Sequence, residues 1–179
     1  MMSMMKGTLF IIAGLALLAG CAVHDVPGGM SFSPKERWAI LPILNYSQEP
    51  LAGERAEAML DTLLRMRGFT HLKHYPNLDR EDTLPELNER RRLDQALNWA
   101  RSEGLRYGIT GTINEWRYKS GLDAEPAVGI TLQIVDIVSG EVLWSSSGAR
   151  SGWGRESLSG NAQKVIRELV ESIEFAPEG

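Results

Sequence analysis

The stretch Tyr107-Gly-Ile-Thr-Gly-Thr-Ile-Asn-Glu-Trp-Arg-Tyr118, with Ala127-Val-Gly-Ile-Thr-Leu-Gln-Ile-Val-Asp136 and Glu141-Val-Leu-Trp-Ser-Ser-Ser-Gly148 behind it, decides the fold. Residues alternate between apolar and polar, so each run reads as a strand with one face buried. In the middle run Val128, Ile130, Leu132 and Ile134 share a face. Between the second and third runs, Val138-Ser-Gly-Glu141 reads as a tight hairpin turn, because Gly140 can take the positive φ such turns require.

Working outward, the period changes on both sides. Trp38-Ala-Ile-Leu-Pro-Ile-Leu44 is an almost unbroken apolar run, as expected of a strand covered on both faces. Pro42 removes a ladder donor, which places this strand at an edge or puts a bulge in it. Ala52, Ala56, Met59, Leu60 and Leu63 recur at helical spacing between Pro50 and Gly68, with Glu54, Arg55, Glu57 and Asp61 on the other face. Phe69 to Tyr75 is a short strand, and Leu84 to Glu103 a charged helix with Leu93, Leu97 and Ala100 as its apolar stripe, closed by Gly104. Leu158 to Phe175 is a last helix behind a Ser157 or Ser159 cap, burying Val165, Ile166, Leu169, Val170 and Ile173. The order β-α-β-α-β-β-β-α predicts an α/β (α+β) domain over residues 35–179. Its mixed sheet should carry the helices on one face and leave the other partly open to a partner or a neighbouring subunit.

Upstream, Lys6, the apolar run Leu9 to Leu18, and Ala19-Gly20 before Cys21 form a lipoprotein signal. The apolar run is too short to span a bilayer, which takes roughly 20 residues. Residues 1–20 are therefore expected to be removed, and Cys21, the one cysteine, to carry a diacylglycerol and an N-acyl chain. Each buried methylene of such chains contributes about 0.8 kcal/mol of membrane affinity. Residues 21–34, with Pro27, Gly28, Gly29 and Pro34, read as a flexible tether. The thirteen residues after Cys21 extend at most about 45 Å. Ala22 stands where an inner-membrane retention aspartate would, so the expected address is the periplasmic face of the outer membrane. Without residues 1–20 the chain has eighteen basic and twenty-three acidic residues, a formal charge of minus five, which speaks against a nucleic-acid partner.

The remaining side-chain groups give little chemistry. His71 and His74 are three apart on a short strand and point to opposite faces, and no third ligand lies nearby in sequence, so no metal site is expected. Glu115, Asp123, Glu125 and Asp136 could pair as glycosidase carboxylates, but nothing in the sequence fixes their separation, and binding carboxylates are the simpler reading. Phosphate loops, nucleophile elbows and a supported Ser/His/Asp set are all missing, so no catalytic residue is expected. Trp153, between Gly152 and Gly154, suits a membrane headgroup zone or a loop folded back on the sheet edge. Trp38, Trp99, Trp116 and Trp144 lie within elements and read as core or subunit-interface residues.

Gly111-Thr-Ile-Asn-Glu-Trp-Arg-Tyr118, Gly121-Leu-Asp-Ala-Glu-Pro-Ala-Val-Gly129, the Ser-Gly-Trp-Gly-Arg-Glu-Ser block within residues 145–159, and Asn45-Tyr-Ser-Gln-Glu-Pro-Leu-Ala-Gly-Glu-Arg-Ala-Glu57 resemble the PelC family. These are outer-membrane lipoproteins of the Pel exopolysaccharide export apparatus. The resemblance implies a fold like the TolB N-terminal domain and a dodecameric periplasmic ring with no cofactor. It also implies an acidic surface that steers a cationic polysaccharide toward a PelB-type porin in support of biofilm formation. Trp153 falls on the family's membrane-contacting tryptophan, and Asp123 and Glu125 fall on its acidic motif. The residues alone leave a second reading, a monomeric periplasmic adaptor lipoprotein that binds a protein through a strand edge.

Overall fold

The computed structural model describes residues 30–76, 85–120, 124–153 and 155–176, with the side chains of 85–88 also left aside. The signal segment, Cys21 and Asp123 thus lie outside the described residues. The elements are β1 (Trp38–Asn45), α1 (Ala52–Met66), β2 (Leu72–His74), α2 (Pro85–Ser102), β3 (Tyr107–Tyr118), β4 (Pro126–Asp136), β5 (Val142–Ser151) and α3 (Leu158–Glu171). They follow the order read from the sequence. The five strands form one mixed sheet, β2-β1-β3-β4-β5, with β1 parallel to both β2 and β3 and the rest antiparallel.

The helices are not all on one face. Trp38, Ile40, Ile109, Ile130, Leu132 and Trp144 join α1 and α3 in the larger core. Ala39, Leu41, Val135 and Ile137 pack instead with Ala96 and Ala100 of α2. The cause is topological. From β1 the chain steps outward to β2, then back past β1 to β3, and two crossovers of the same hand running in opposite directions put their helices on opposite faces. The apolar run of β1 required this double cover. Across β3, β4 and β5 the α2 face stays largely uncovered, and Thr112, Asn114, Thr131 and Ser147 form a chain of polar contacts there.

Pro42 marks a bulge rather than an edge, for β1 is an inner strand and its register with β3 shifts between Ile40 and Ile43. Thr110 Oγ1 donates to the Pro42 carbonyl (2.6 Å). β2 pairs only as far as Ile40, which leaves the rest of that side of β1 without a strand. Two carboxylates take its place: Ile43 N–H donates to Glu57 Oε1 (2.9 Å) and Asn45 N–H to Glu89 Oε2. Glu57, expected on the solvent face of its helix, is therefore buried, and α1 lies so close to β1 that a Cβ on Gly53 would stand 2.3 Å from the Ile43 carbonyl oxygen.

The tether ends earlier than residue 34. Phe32 is buried, bridges Phe175, and exchanges backbone hydrogen bonds with Glu174 and Ala176 (3.0 and 2.9 Å). Its ring meets Trp38 and Tyr107 at 5.9 and 5.5 Å, and Phe69 links Trp38 to Phe175. From Phe32 onward the chain thus belongs to the domain.

Candidate functional site

Because β3, β4 and β5 form a meander, the β3–β4 connection and the segment after β5 meet at one end of the sheet. Lys119 N–H donates to the Glu125 carbonyl (2.7 Å) and closes the first, while Gly152 N–H donates to the Pro126 carbonyl (2.8 Å) and ties the second to it. Lys119 Nζ reaches Ser151 Oγ across the pair (2.7 Å). Trp153 and Glu125, singled out separately in the sequence, are thereby brought to the same end. Glu125 is half-buried and has no ion pair among the described residues, and Ala124 beside it adopts φ 42°, a left-handed conformation costly for a residue with a Cβ.

The Trp153 loop is held from below and open above. Trp153 N–H donates to Glu156 Oε2 (3.1 Å), and Glu156 N–H returns a bond to the Trp153 carbonyl (2.8 Å). Lys164 of α3 donates to Glu156 Oε1 (2.7 Å), and this bond, followed by the one from Trp153 N–H, holds the Glu156 carboxyl below the usual range. Gly152 leaves room for the buttress, since a Cβ there would come within 2.3 Å of Glu156 Oε2 and 2.4 Å of Asn161 Nδ2. Ser157 caps α3 as expected, with its Oγ accepting from Gly160 N–H (3.0 Å). Trp153 itself is 78% exposed, so it is not folded back over the sheet edge. Trp38, Trp116 and Trp144 are buried and Trp99 is half-buried against Tyr75.

The three described acids, Glu115, Glu125 and Asp136, are not gathered. Glu115 pairs with Arg117 (2.9 Å). Asp136 sits at the far end of β4 and accepts from the Val138 and Ser139 N–H groups (2.9 and 2.8 Å), which holds its carboxyl low and forms the hairpin turn in which Gly140 has φ 75°. The length of β4, 11 residues, separates Glu125 from Asp136, about 35 Å of strand, whereas glycosidase carboxylates stand about 5–9.5 Å apart. The histidines do not converge either: His74 Nε2 meets Glu57 Oε2 (3.1 Å), while His71, three residues earlier, lines a groove with Lys35 and Arg37. Among the described residues no three His, Cys, Asp or Glu side chains converge as metal ligands, and no helix is long and apolar enough to cross a membrane.

Helical periodicity missed the cluster around Glu57, where Arg92 of α2 also reaches its carboxylate (3.3 Å). The available signal was Pro42, which interrupts β1 and leaves later N–H groups without a strand partner.

No protein-family model matches the sequence, and no curated protein does. Among solved structures, the PelC dodecamer of Paraburkholderia phytofirmans matches at 31% identity and a TM-score of 0.72, covering 88% of this chain and all of that one. The chain belongs to the PelC family. A leucine-to-methionine variant of the same PelC dodecamer matches equally well, at 31% identity over 87% of this chain. Lipoprotein GNA1162 of Neisseria meningitidis shares the fold at 18% identity, with a TM-score of 0.52 over 76% of this chain. In this PelC-family chain the loop end of the sheet is thus the candidate site, with Trp153 exposed at its rim and Glu125 beside it.

Proposed function

We propose that this chain is a non-catalytic lipoprotein component of a Pel exopolysaccharide secretion apparatus, anchored by acyl chains on Cys21 to the periplasmic face of the outer membrane. Copies assemble into a ring, Trp153 rests in the headgroup zone, and Asp123 with Glu125 contributes to an acidic surface that steers a cationic polysaccharide toward a porin. The observation that carries this reading is the 31% identity with a PelC dodecamer across 88% of the chain. Supporting it are the exposure of Trp153 and its place beside Glu125. With a modest net charge, steering depends on placement: repetition around a ring multiplies a small local potential.

Sedimentation of the detergent-extracted protein tests the assembly. A ring sediments as a multiple of the chain mass, and a monomer at physiological concentration would favour the adaptor reading instead. Radiolabelled palmitate should enter the wild-type protein and not Cys21→Ala. Asp123→Asn with Glu125→Gln should lower polymer export without lowering the amount of folded protein, and unchanged export would remove the steering role.

A further inference from the structure

The two edges of the sheet are finished differently. At the β2 edge the strand is three residues long, its Leu72 carbonyl accepts from Arg65 of α1 (3.4 Å), and the neighbouring stretch of β1 is capped by Glu57 and Glu89. β5, the opposite edge, is 10 residues long and pairs only with β4. Its ladder has a definite parity. Gly152 N–H donates to the Pro126 carbonyl and Ser151 lies opposite Ala127, so by alternation Trp144, Ser146, Gly148 and Arg150 bond to β4. Ser145, Ser147, Ala149 and Ser151 then aim their N–H and C=O groups away from the sheet, and these groups meet no partner among the described residues.

An exposed edge normally carries a lysine, a proline or a bulge that discourages a further strand. Residues 145–151, Ser-Ser-Ser-Gly-Ala-Arg-Ser, have no lysine, carboxylate or proline, and the register shift in β5 lies before them, between Val142 and Trp144. The one charge, Arg150, turns toward α3, where its Nε donates to Asn161 Oδ1 (2.8 Å). On the uncovered face Ser147 and Ala149 are exposed and small, which leaves room for large side chains on an added strand. Residues 145–151 offer about 23 Å of edge for pairing.

We propose that the β5 edge takes up an extended segment of another protein as a sixth strand, paired through the backbone of residues 145–151. The segment is uncharged where it faces Ser147 and Ala149, and carries bulky β-branched or aromatic residues at alternate positions. A second copy of this chain does not fit the edge. Copies that all face one membrane form a cyclic ring, whose contacts run head to tail between two different patches. In such a ring β5 cannot meet β5, and the capped β2 edge offers no strand in its place. Excluding a second copy rests on the ring proposed above, whereas the unpaired edge does not.

The test is photo-cross-linking in living cells of the source organism, from the full chain carrying benzoylphenylalanine at Ser145, Ser147 or Ala149 in turn. All three positions should capture one segment of one other protein, and the cross-linked residue should move by two as the probe moves by two, which is the signature of a paired strand. Ala149→Pro deletes one outward donor without touching the β4 ladder. It should lower capture from position 145 about tenfold, while Ala149→Thr should leave capture unchanged. Ser147→Lys, at an exposed position, should lower it as well by setting an edge lysine against the added strand, and it stands in if the proline variant fails to accumulate. Scattered cross-links, no cross-link, or capture that survives both Ala149→Pro and Ser147→Lys would overturn the added strand. Cross-links to a second copy would overturn the partner assignment, and those landing on its β5 would overturn the cyclic ring as well. A ring in sedimentation with no cross-link removes the added strand alone.

Discussion

Trp38 and Trp153 stand at opposite ends of one sheet and have opposite surroundings. Trp38 is wholly buried, edge-on to Phe32 and Phe69, and its indole N–H donates to the Ser33 carbonyl (2.9 Å). Trp153 is 78% exposed, and the loop bonds to its backbone and leaves the ring in solvent. The end that holds Trp38 is closed by aromatic packing and receives the chain from its N-terminal segment. At the other end, hairpin and loop hydrogen bonds position side chains without covering them. One residue type thus serves stability at one end and presents an apolar surface at the other.

The comparison breaks most easily at the packed end. Trp38→Ala should cost about 3–5 kcal/mol, the usual penalty for emptying a buried aromatic site, read as a lower urea midpoint. If stability hardly moved, the aromatic cluster would not be what closes that end. Glu57→Ala should cost about 3 kcal/mol, because it strands the Ile43 N–H and removes the acceptor shared by His74 and Arg92. Glu57→Gln keeps an acceptor and should cost less, which separates the hydrogen bond from the charge.

At the loop end the expected effects are local. Glu156 has a lowered pKa in the folded protein, so its contribution is present above the unfolded glutamate pKa of about 4.3 and is lost as pH falls through the lower folded value. Acidification through that lowered folded value should therefore free the Trp153 loop, seen as faster amide exchange at Trp153, while core exchange is unchanged. Glu156→Gln should abolish that pH step. The smallest effect on stability is Trp153→Ala, within about 0.5 kcal/mol, and its consequence should appear in membrane fractionation. A large stability loss would show that the ring is packed in the folded domain after all.

Much of this contrast was legible in the sequence. Alternation over 107–118 and 127–136 located the long strands, and the glycines around Trp153 pointed to a loop. The face covered by α2 was not legible, because it follows from the spatial order β2-β1-β3, which no local pattern encodes. Glu57 was placed wrongly for a related reason. A helical wheel weighs a residue against its own helix, whereas its burial is caused by a gap beside a strand. Trp153 and Glu125 were read one at a time, and only the meander brings them together.

The bridge between Phe32 and Phe175 also has a mechanical consequence. Phe32 N–H bonds to Glu174 and its carbonyl to Ala176, so a pull arriving from upstream meets the C-terminal segment before it reaches β1. The segment after α3 then acts as a strain relief: these contacts must peel away before tension reaches the inner strand of the sheet.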